Sequence, residues 1–243
     1  MSSRILHEQQ AAWERKPSLR ALYQGWFEDI SRRMASVPGR NLEVGAGIGQ
    51  LKKAIPGLKG LDIEATPWTD LVGDAQQLPV RDGSLANIVC FDVLHHIPRP
   101  ALFFRQAARA LAPGGRVLVM DPYVSPVSFL VYRFFHPEGV SMACDPYDEA
   151  SDVCSDTPFD SNQAVATRMF FADGHRFERS FPGLRVTERR RLAMLAYPAT
   201  GGFGGRTLLP GAAIRLLDRV ERLVPFLVPL LAFRALVVVE RHA

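Results

Sequence analysis

Cysteine is scarce, with three in 243 residues (Cys90, Cys144 and Cys154) and no C-x-x-C pair among them. That excludes a disulfide framework and a zinc ribbon. No run of about 18 apolar residues exists, so no single helix is expected to span a bilayer. The opening MSSRILHEQQAAWERK is polar and lacks the apolar centre of a secretory signal, which points to the cytoplasm. Internal repeats and low-complexity tracts are absent as well. What remains is an ordinary globular balance, 47% hydrophobic and 22% charged. Such a chain is neither disordered nor fibrous, and it is long enough for one large domain or two small ones.

The net charge of +4 conceals an uneven distribution. Residues 41–123 are neutral, residues 124–163 carry an acidic excess of six, and residues 164–243 a basic excess of seven. The plain expectation is that the last two segments partly neutralise each other across the fold. The sharper alternative is a basic surface facing a membrane or another anionic partner. The arginines are not interleaved with aromatics as in an RNA-binding module, which argues against nucleic acid.

Periodicity divides the chain. Residues 7–36 have helical spacing (Trp13, Leu19, Leu22, Tyr23, Trp26, Phe27, Ile30), split by Pro17 into two helices. Short strands are expected at 41–45, 58–63, 71–74, 85–93 and 116–120, with a helix over 100–112. Strand, turn and helix alternate, as in an open α/β sheet with right-handed crossovers. After Tyr123 the rhythm breaks. Residues 124–163 read as an insertion with short helices, in which Phe129, Leu130, Tyr132, Phe134 and Phe135 are expected to be buried. Beyond it come a helix over 164–181, a strand over 184–195, a flexible loop at 201–205, an amphipathic helix over 211–224 with Arg215, Arg219 and Arg222 on one face, and a last strand at 235–240. The organisation expected is a helical cap (1–40), a cofactor-binding half (41–123), an acidic insertion covering the acceptor (124–163) and a C-terminal half (164–243).

The central motif is Glu43-Val44-Gly45-Ala46-Gly47-Ile48-Gly49-Gln50. A glycine turn after the first strand lets a ligand approach the backbone closely, at the carboxyl end of the sheet where such folds bind. A dinucleotide site of the G-x-G-x-x-G type would need glycine at position 50, where Gln50 stands. The pattern is instead E-x-G-x-G-x-G, followed by Gly73-Asp74-Ala75-Gln76-Gln77-Leu78-Pro79-Val80, by Asp92-Val93-Leu94-His95-His96 ending the fourth strand, and by Leu111-Ala112-Pro113-Gly114-Gly115. Taken in order, these segments resemble the class I S-adenosylmethionine-dependent methyltransferases over residues 41–123.

The resemblance implies a Rossmann-like seven-stranded α/β sheet with helices on both faces, here with an N-terminal helical cap and an insertion after strand five. It implies S-adenosylmethionine as the cofactor. Glu43, Gly45, Ala46, Gly47 and Gly49 would cradle its methionine end, and Asp62, with Glu64 as rival, would accept the ribose hydroxyls beside Ile63. Asp74 and Ala75 would meet the adenine, and Phe91 and Asp92 would pass beneath the sulfonium. An isolated aspartate is ordinarily a loop or capping residue. The connections are short, with Pro67-Trp68 where a second helix would run, so Trp68 could wall the adenine pocket. Asn87 replaces an aspartate taken to be a structural neighbour.

His95 and His96 sit where the transferred methyl is expected, and either could take a proton from an acceptor hydroxyl, the alternative being packing alone. No metal is called for. Asp121-Pro122-Tyr123 closes the fifth strand, and Tyr123, His136 and Glu138 are candidates to line the acceptor pocket, with Tyr23 and Trp26 capping the cofactor or simply buried. The amino-methyltransferase signature is missing after strand four, so oxygen or carbon ranks ahead of nitrogen. The acceptor expected is a small or lipid-like molecule. A nucleic-acid methyltransferase and a non-catalytic cofactor-binding protein are the alternatives. Residues 211–231, an arginine-bearing helix and a proline-broken apolar run, are a candidate membrane contact, against a buried flap or dimer contact. Oligomeric state is not legible.

Overall fold

A computed structural model describes residues 2–154, 160–221 and 223–242, with the side chains of Ser2 and Ser3 left aside. Arg222 and Pro158 lie outside the described residues. The chain opens with α1 (Ser2–Arg15) and α2 (Pro17–Ser31), separated by Lys16 because Pro17 supplies no amide and sits at the start of the second helix. Then follow β1 (Arg40–Val44), α3 (Gln50–Ala54), β2 (Leu58–Asp62), β3 (Leu71–Val72), β4 (Leu85–Phe91), α4 (Pro100–Ala110) and β5 (Leu111–Pro122). The C-terminal half contains α5 (Pro126–Phe135), α6 (Val165–Phe170), α7 (Arg176–Ser180), β6 (Leu184–Leu192), α8 (Ala196–Thr200), α9 (Gly211–Glu221), α10 (Val228–Leu231) and β7 (Arg234–Arg241).

The seven strands form one sheet in the order β3-β2-β1-β4-β5-β7-β6. Strands β1 to β5 are parallel, and β7 runs antiparallel between β5 and β6. The central β4 is buried on both faces because helices cover both sides. Alternate residues serve alternate layers. Ile88, Cys90, Val117, Val119, Val237 and Val239 pack with Phe103 and Phe104 of α4 and Phe177 of α7. Val89, Leu118, Met120 and Leu236 face Leu19, Trp26 and Ile30 of α2 and Ile214 of α9. The second helix expected between β2 and β3 is replaced by loop, and Trp68 closes over Gly49, where an added Cβ would lie 3.0 Å from the indole Cβ. Asn87 is structural: its amide oxygen accepts from the Ala35 N–H (2.7 Å) while its NH2 donates to the Ala35 and Asn41 oxygens. A carboxylate could accept there but not donate.

Several expectations need correction. The helix expected over 164–181 is two short ones, α6 and α7, interrupted at 171–175. The insertion carries one helix among its described residues, α5, the rest being irregular. Its aromatics are not buried as a group. Tyr132 is, held by its hydroxyl donating to the Phe233 carbonyl (2.7 Å), but Phe129, Leu130, Phe134 and Phe135 are exposed. The reason is that α5 lies on the rim and turns only Ser128 and Tyr132 inward. The loop at 201–205 is clamped rather than loose, its carbonyls accepting from the Lys16 ammonium, with 2.6 Å to Gly202. Among the described residues, Arg99 just before α4 and Arg105 within it meet Asp152 and Glu149 of the acidic block, and Asp145 reaches Arg176 of the basic segment.

Candidate active site

One cleft of about 710 Å³ opens along the carboxyl ends of β1, β4 and β5, within the size range of ligand pockets. Its floor is the glycine turn, where Gly45 and Gly47 take left-handed backbone (φ 68° and 49°). A Cβ on Gly45 would fall 2.2 Å from Val93, so only glycine lets the turn seat beneath that side chain. A Cβ on Gly47 would meet nothing nearer than 3.9 Å, which leaves its backbone open to a ligand. Asp62 braces this turn, its Oδ2 accepting from the Gly47 N–H (3.0 Å) and its Oδ1 from the Glu64 N–H. Glu43 lies beneath. It is buried, its Oε2 has no partner among the described residues, and burial, only partly opposed by Lys52, raises its pKa to about 8. A buried acceptor with nothing to accept from, beside an open backbone, suits a ligand that brings a cation and N–H donors.

The next wall is an ion pair that the sequence did not reveal. Asp92 ends β4 in left-handed backbone (φ 54°), a strained state for a residue with a side chain. Arg234 grips both its carboxylate oxygens, and the Tyr23 hydroxyl donates to Oδ2 (3.0 Å). The guanidinium is buried between Trp26 and Tyr197, 5.4 and 4.5 Å from their ring centres. Arg234 begins an otherwise apolar strand, and a lone arginine at a strand start signals nothing until β7 is seen beside β5. Tyr23 lines the cleft, whereas Trp26 packs in the core behind it.

The two histidines, one turn beyond, are unlike each other. His95 is buried and its Nδ1 lies 2.9 Å from Asp121 Oδ1, with Nε2 3.5 Å from Glu138 Oε2. Burial opposes its charge, but the two carboxylates override it and raise its pKa to about 10, so it is an imidazolium at neutral pH. Burial and the neighbouring His95 charge instead lower His96 to about 4. His96 Nδ1 lies 3.0 Å from the Asp160 carbonyl, which can only accept. The neutral ring therefore carries its proton on Nδ1 and leaves Nε2 bare. Glu138 is held low, at about 2, because His95 outweighs the effect of burial, and its Oε2 also accepts from Ser161 and Gln163. One ligand atom each from His95, His96 and Glu138 lies within 4.8 Å of the others, a spacing that could hold a metal ion.

The structure brings Glu43, Gly45, Ala46, Gly47, Phe91, Asp92, His95, His96, His136 and Glu138 around this one cleft. Gly49, Asp62, Ile63, Asp74 and Ala75 do not line it: Gly49 caps α3 beneath Trp68, and the others stand at the ends of β2 and β3. There Asp74 caps the short 3-10 turn Ala75–Gln77 by accepting from the Gln76 N–H (2.8 Å), and Ile63 is exposed. Tyr123 is not at the mouth. Side chains alternate along β5, so Pro122 faces the cleft while Tyr123 turns away to pack on Phe171 and accept from Arg191 Nε (2.8 Å). Asp121 likewise lies fully buried behind His95 rather than facing the mouth. His136 does line the cleft, its Nδ1 accepting from the Glu138 N–H.

The sheet departs from the dinucleotide-binding order in which the strands continue parallel, since β7 is antiparallel and inserted before β6. Together with the glycine turn, this sets the fold apart from the dinucleotide-binding one. Residues 42–119 match the methyltransferase domain family. Similar solved structures include a SAM-dependent methyltransferase from Archaeoglobus fulgidus, 12% identical over 91% of this chain and 94% of that one, with a TM-score of 0.55. A methyltransferase from Bacillus halodurans is 15% identical over 90% and 99%, with a TM-score of 0.50. The Haloferax volcanii complex between the Trm112 methyltransferase activator and a methyltransferase is 17% identical over 96% and 92%, also at 0.50. No curated protein matches. The structural likenesses speak for the fold, and the family match for the domain. The methyltransferase domain over residues 42–119, on this fold, supports an S-adenosylmethionine-dependent methyltransferase enzyme with S-adenosylmethionine as its cofactor. No helix among the described residues is long and apolar enough to cross a membrane.

Proposed function

We propose that the enzyme methylates an oxygen of a small, largely apolar, lipid-like acceptor, with His96 receiving the acceptor proton. S-adenosylmethionine, when bound, supplies an electrophilic methyl on a good leaving group, so alignment does most of the work left to the protein. On this reading Glu43 and the turn Gly45-Ala46-Gly47 with Gly49 hold the methionine end. Asp62 keeps a second lone pair on each oxygen for the ribose, Ile63 gives the adenine an apolar seat, Asp74 and Ala75 edge it, and Phe91 and Asp92 underlie the sulfur. His136 and Glu138 border the acceptor.

The unequal histidine pair carries this reading. Adjacent titrating groups pushed apart by their surroundings mark an acid and a base. His96, neutral above about pH 4, offers a bare Nε2. A hydroxyl oxygen becomes strongly acidic as it gains a methyl, so a weak base suffices. His95, held between Asp121 and Glu138, keeps its own charge beside His96 and so, together with burial, holds that ring neutral, with Nε2 free to take the proton as the acceptor oxygen bonds to the methyl. The cleft walls favour an apolar acceptor, since Val131, Phe135 and Phe203 are among the residues that line the same cleft as the histidines. A carbon acceptor would use the same pair to remove a proton from carbon. A nucleic-acid acceptor finds little support, because the buried cleft arginine is already spent on Asp92.

The test is His96→Ala assayed for S-adenosylhomocysteine formation with a panel of phenolic and lipid-linked alcohols. Turnover is expected to fall by about 10²–10⁴ with cofactor affinity unchanged, and the parent rate to stay level from neutral pH down to about 5. A fully active His96→Ala enzyme, or a parent rate lost with a midpoint near pH 6.5, would refute His96 as the base.

A further inference from the structure

The exposed apolar residues are not scattered. On α5, Phe134 and Phe135 are 69% and 82% exposed, and Leu130 stands one turn before Phe134. α5 packs against α10, and the segment leading into α10 exposes Leu223 (79%) and Phe226 (75%), with Leu230 following. Upstream, α9 turns Leu216 and Val220 outward, which continues the stripe to Leu223 at helical spacing. Single exposed leucines need no explanation, but a contiguous apolar rim of this kind marks an interaction surface.

Three observations choose the partner. Among the described residues, every exposed charge on α5, α9 and the 223–231 segment is an arginine: Arg133, Arg215 and Arg219. The carboxylates nearby are withdrawn, Glu221 being buried and accepting from the Met194, Leu195 and Ala196 amides, and Asp218 half-buried. Cations beside an apolar stripe on a short helix are the pattern of a segment lying in a membrane interface. The rim also contains the cleft mouth, since Val131 and Phe135 of α5 line the cleft. A protein partner seated here would plug that mouth, whereas a bilayer would open a dry route from its acyl layer to His96.

We propose that this face, formed by α5, α9 and residues 223–231, docks on an anionic phospholipid bilayer, with the cleft mouth turned to the lipid. Aromatic and leucyl side chains enter the boundary between headgroups and acyl chains, and the arginines meet the phosphates, each contributing while within a Debye length of the surface. The docking does not depend on which acceptor atom is methylated.

The test is flotation of the full-length protein with vesicles of phosphatidylcholine alone and of equal parts phosphatidylcholine and phosphatidylglycerol. Binding is expected on the anionic vesicles and to weaken with added salt. Phe134→Asp and Phe226→Asp, neither of them lining the cleft, should each reduce binding by roughly tenfold or more. Arg215→Gln with Arg219→Gln should reduce binding to anionic vesicles only. S-adenosylhomocysteine affinity, unchanged in every variant, reports that each is folded and keeps the methyltransferase assignment separate from the docking. No binding to anionic vesicles even at low salt would overturn the proposal. So would a parent protein that is dimeric by sedimentation, becomes monomeric in Phe134→Asp or Phe226→Asp, and ignores vesicles, because the face would then cover a second copy.

Discussion

Replacing Glu43 with glutamine is expected to stabilise the cofactor-free enzyme in alkaline solution and to lose that advantage in acid. Glu43 is 4% exposed and its Oε2 is unpartnered. Burial lifts its pKa from 4.5 to about 8 against the pull of Lys52. Between those values the folded protein keeps a proton that the unfolded chain has released. Stability from this group is therefore intact below about pH 4.5 and is lost progressively as pH rises toward 8. At about 1.36 kcal/mol per pKa unit, the deficit reaches about 4 kcal/mol at pH 8. For a chain of this size each kcal/mol moves the melting temperature by about 2–4 °C, so the variant should melt about 10 °C above the parent at pH 8. Any fixed effect of burying the amide appears at both pH values, so the change in the gap between them is the readout. Calorimetry at pH 4.5 and 8 measures it. If Glu43 receives the cofactor's ammonium as proposed, saturating S-adenosylhomocysteine should narrow the gap. A gap independent of pH would refute the buried, proton-holding carboxyl.

Arg234→Met should cost about 3–5 kcal/mol in chemical denaturation, because it leaves Asp92 unpaired in a strained backbone; a loss below about 1 kcal/mol would remove the pair's structural role. Asp62→Ala should weaken cofactor binding at least tenfold, about 1.4 kcal/mol, by removing both the charge and the acceptor of the Gly47 amide. Asp62→Asn, which keeps an acceptor for that amide, should weaken it less, and calorimetry showing parent affinity for both would refute the contact. Chelation bears on the His95-His96-Glu138 cluster: turnover should survive dialysis against EDTA, and activity lost on dialysis and restored by zinc or manganese would replace His96 as base with a metal-bound acceptor.

What the sequence determined by itself was local or ordered along the chain. The glycine turn from Gly45 to Gly49, the strand ends carrying Asp62, Asp74 and Asp92, and the histidine pair could be read in order because each lies within a few residues of its own strand or turn. Their backbone is dictated by glycine and proline chemistry and by alternating strand patterns. What tertiary structure decided depends on residues far apart. Arg234 meets Asp92 across 142 positions only because β7 inserts antiparallel beside β5. His95 differs from His96 because Asp121 and Glu138 come from β5 and the loop beyond α5, and a pKa responds to surroundings that spacing does not encode. The α5 aromatics misled for the same reason. Hydrophobicity says that a side chain gains by leaving water, but only the packing of α5 at the rim decides that Tyr132 turns inward and Phe134 and Phe135 stay outside.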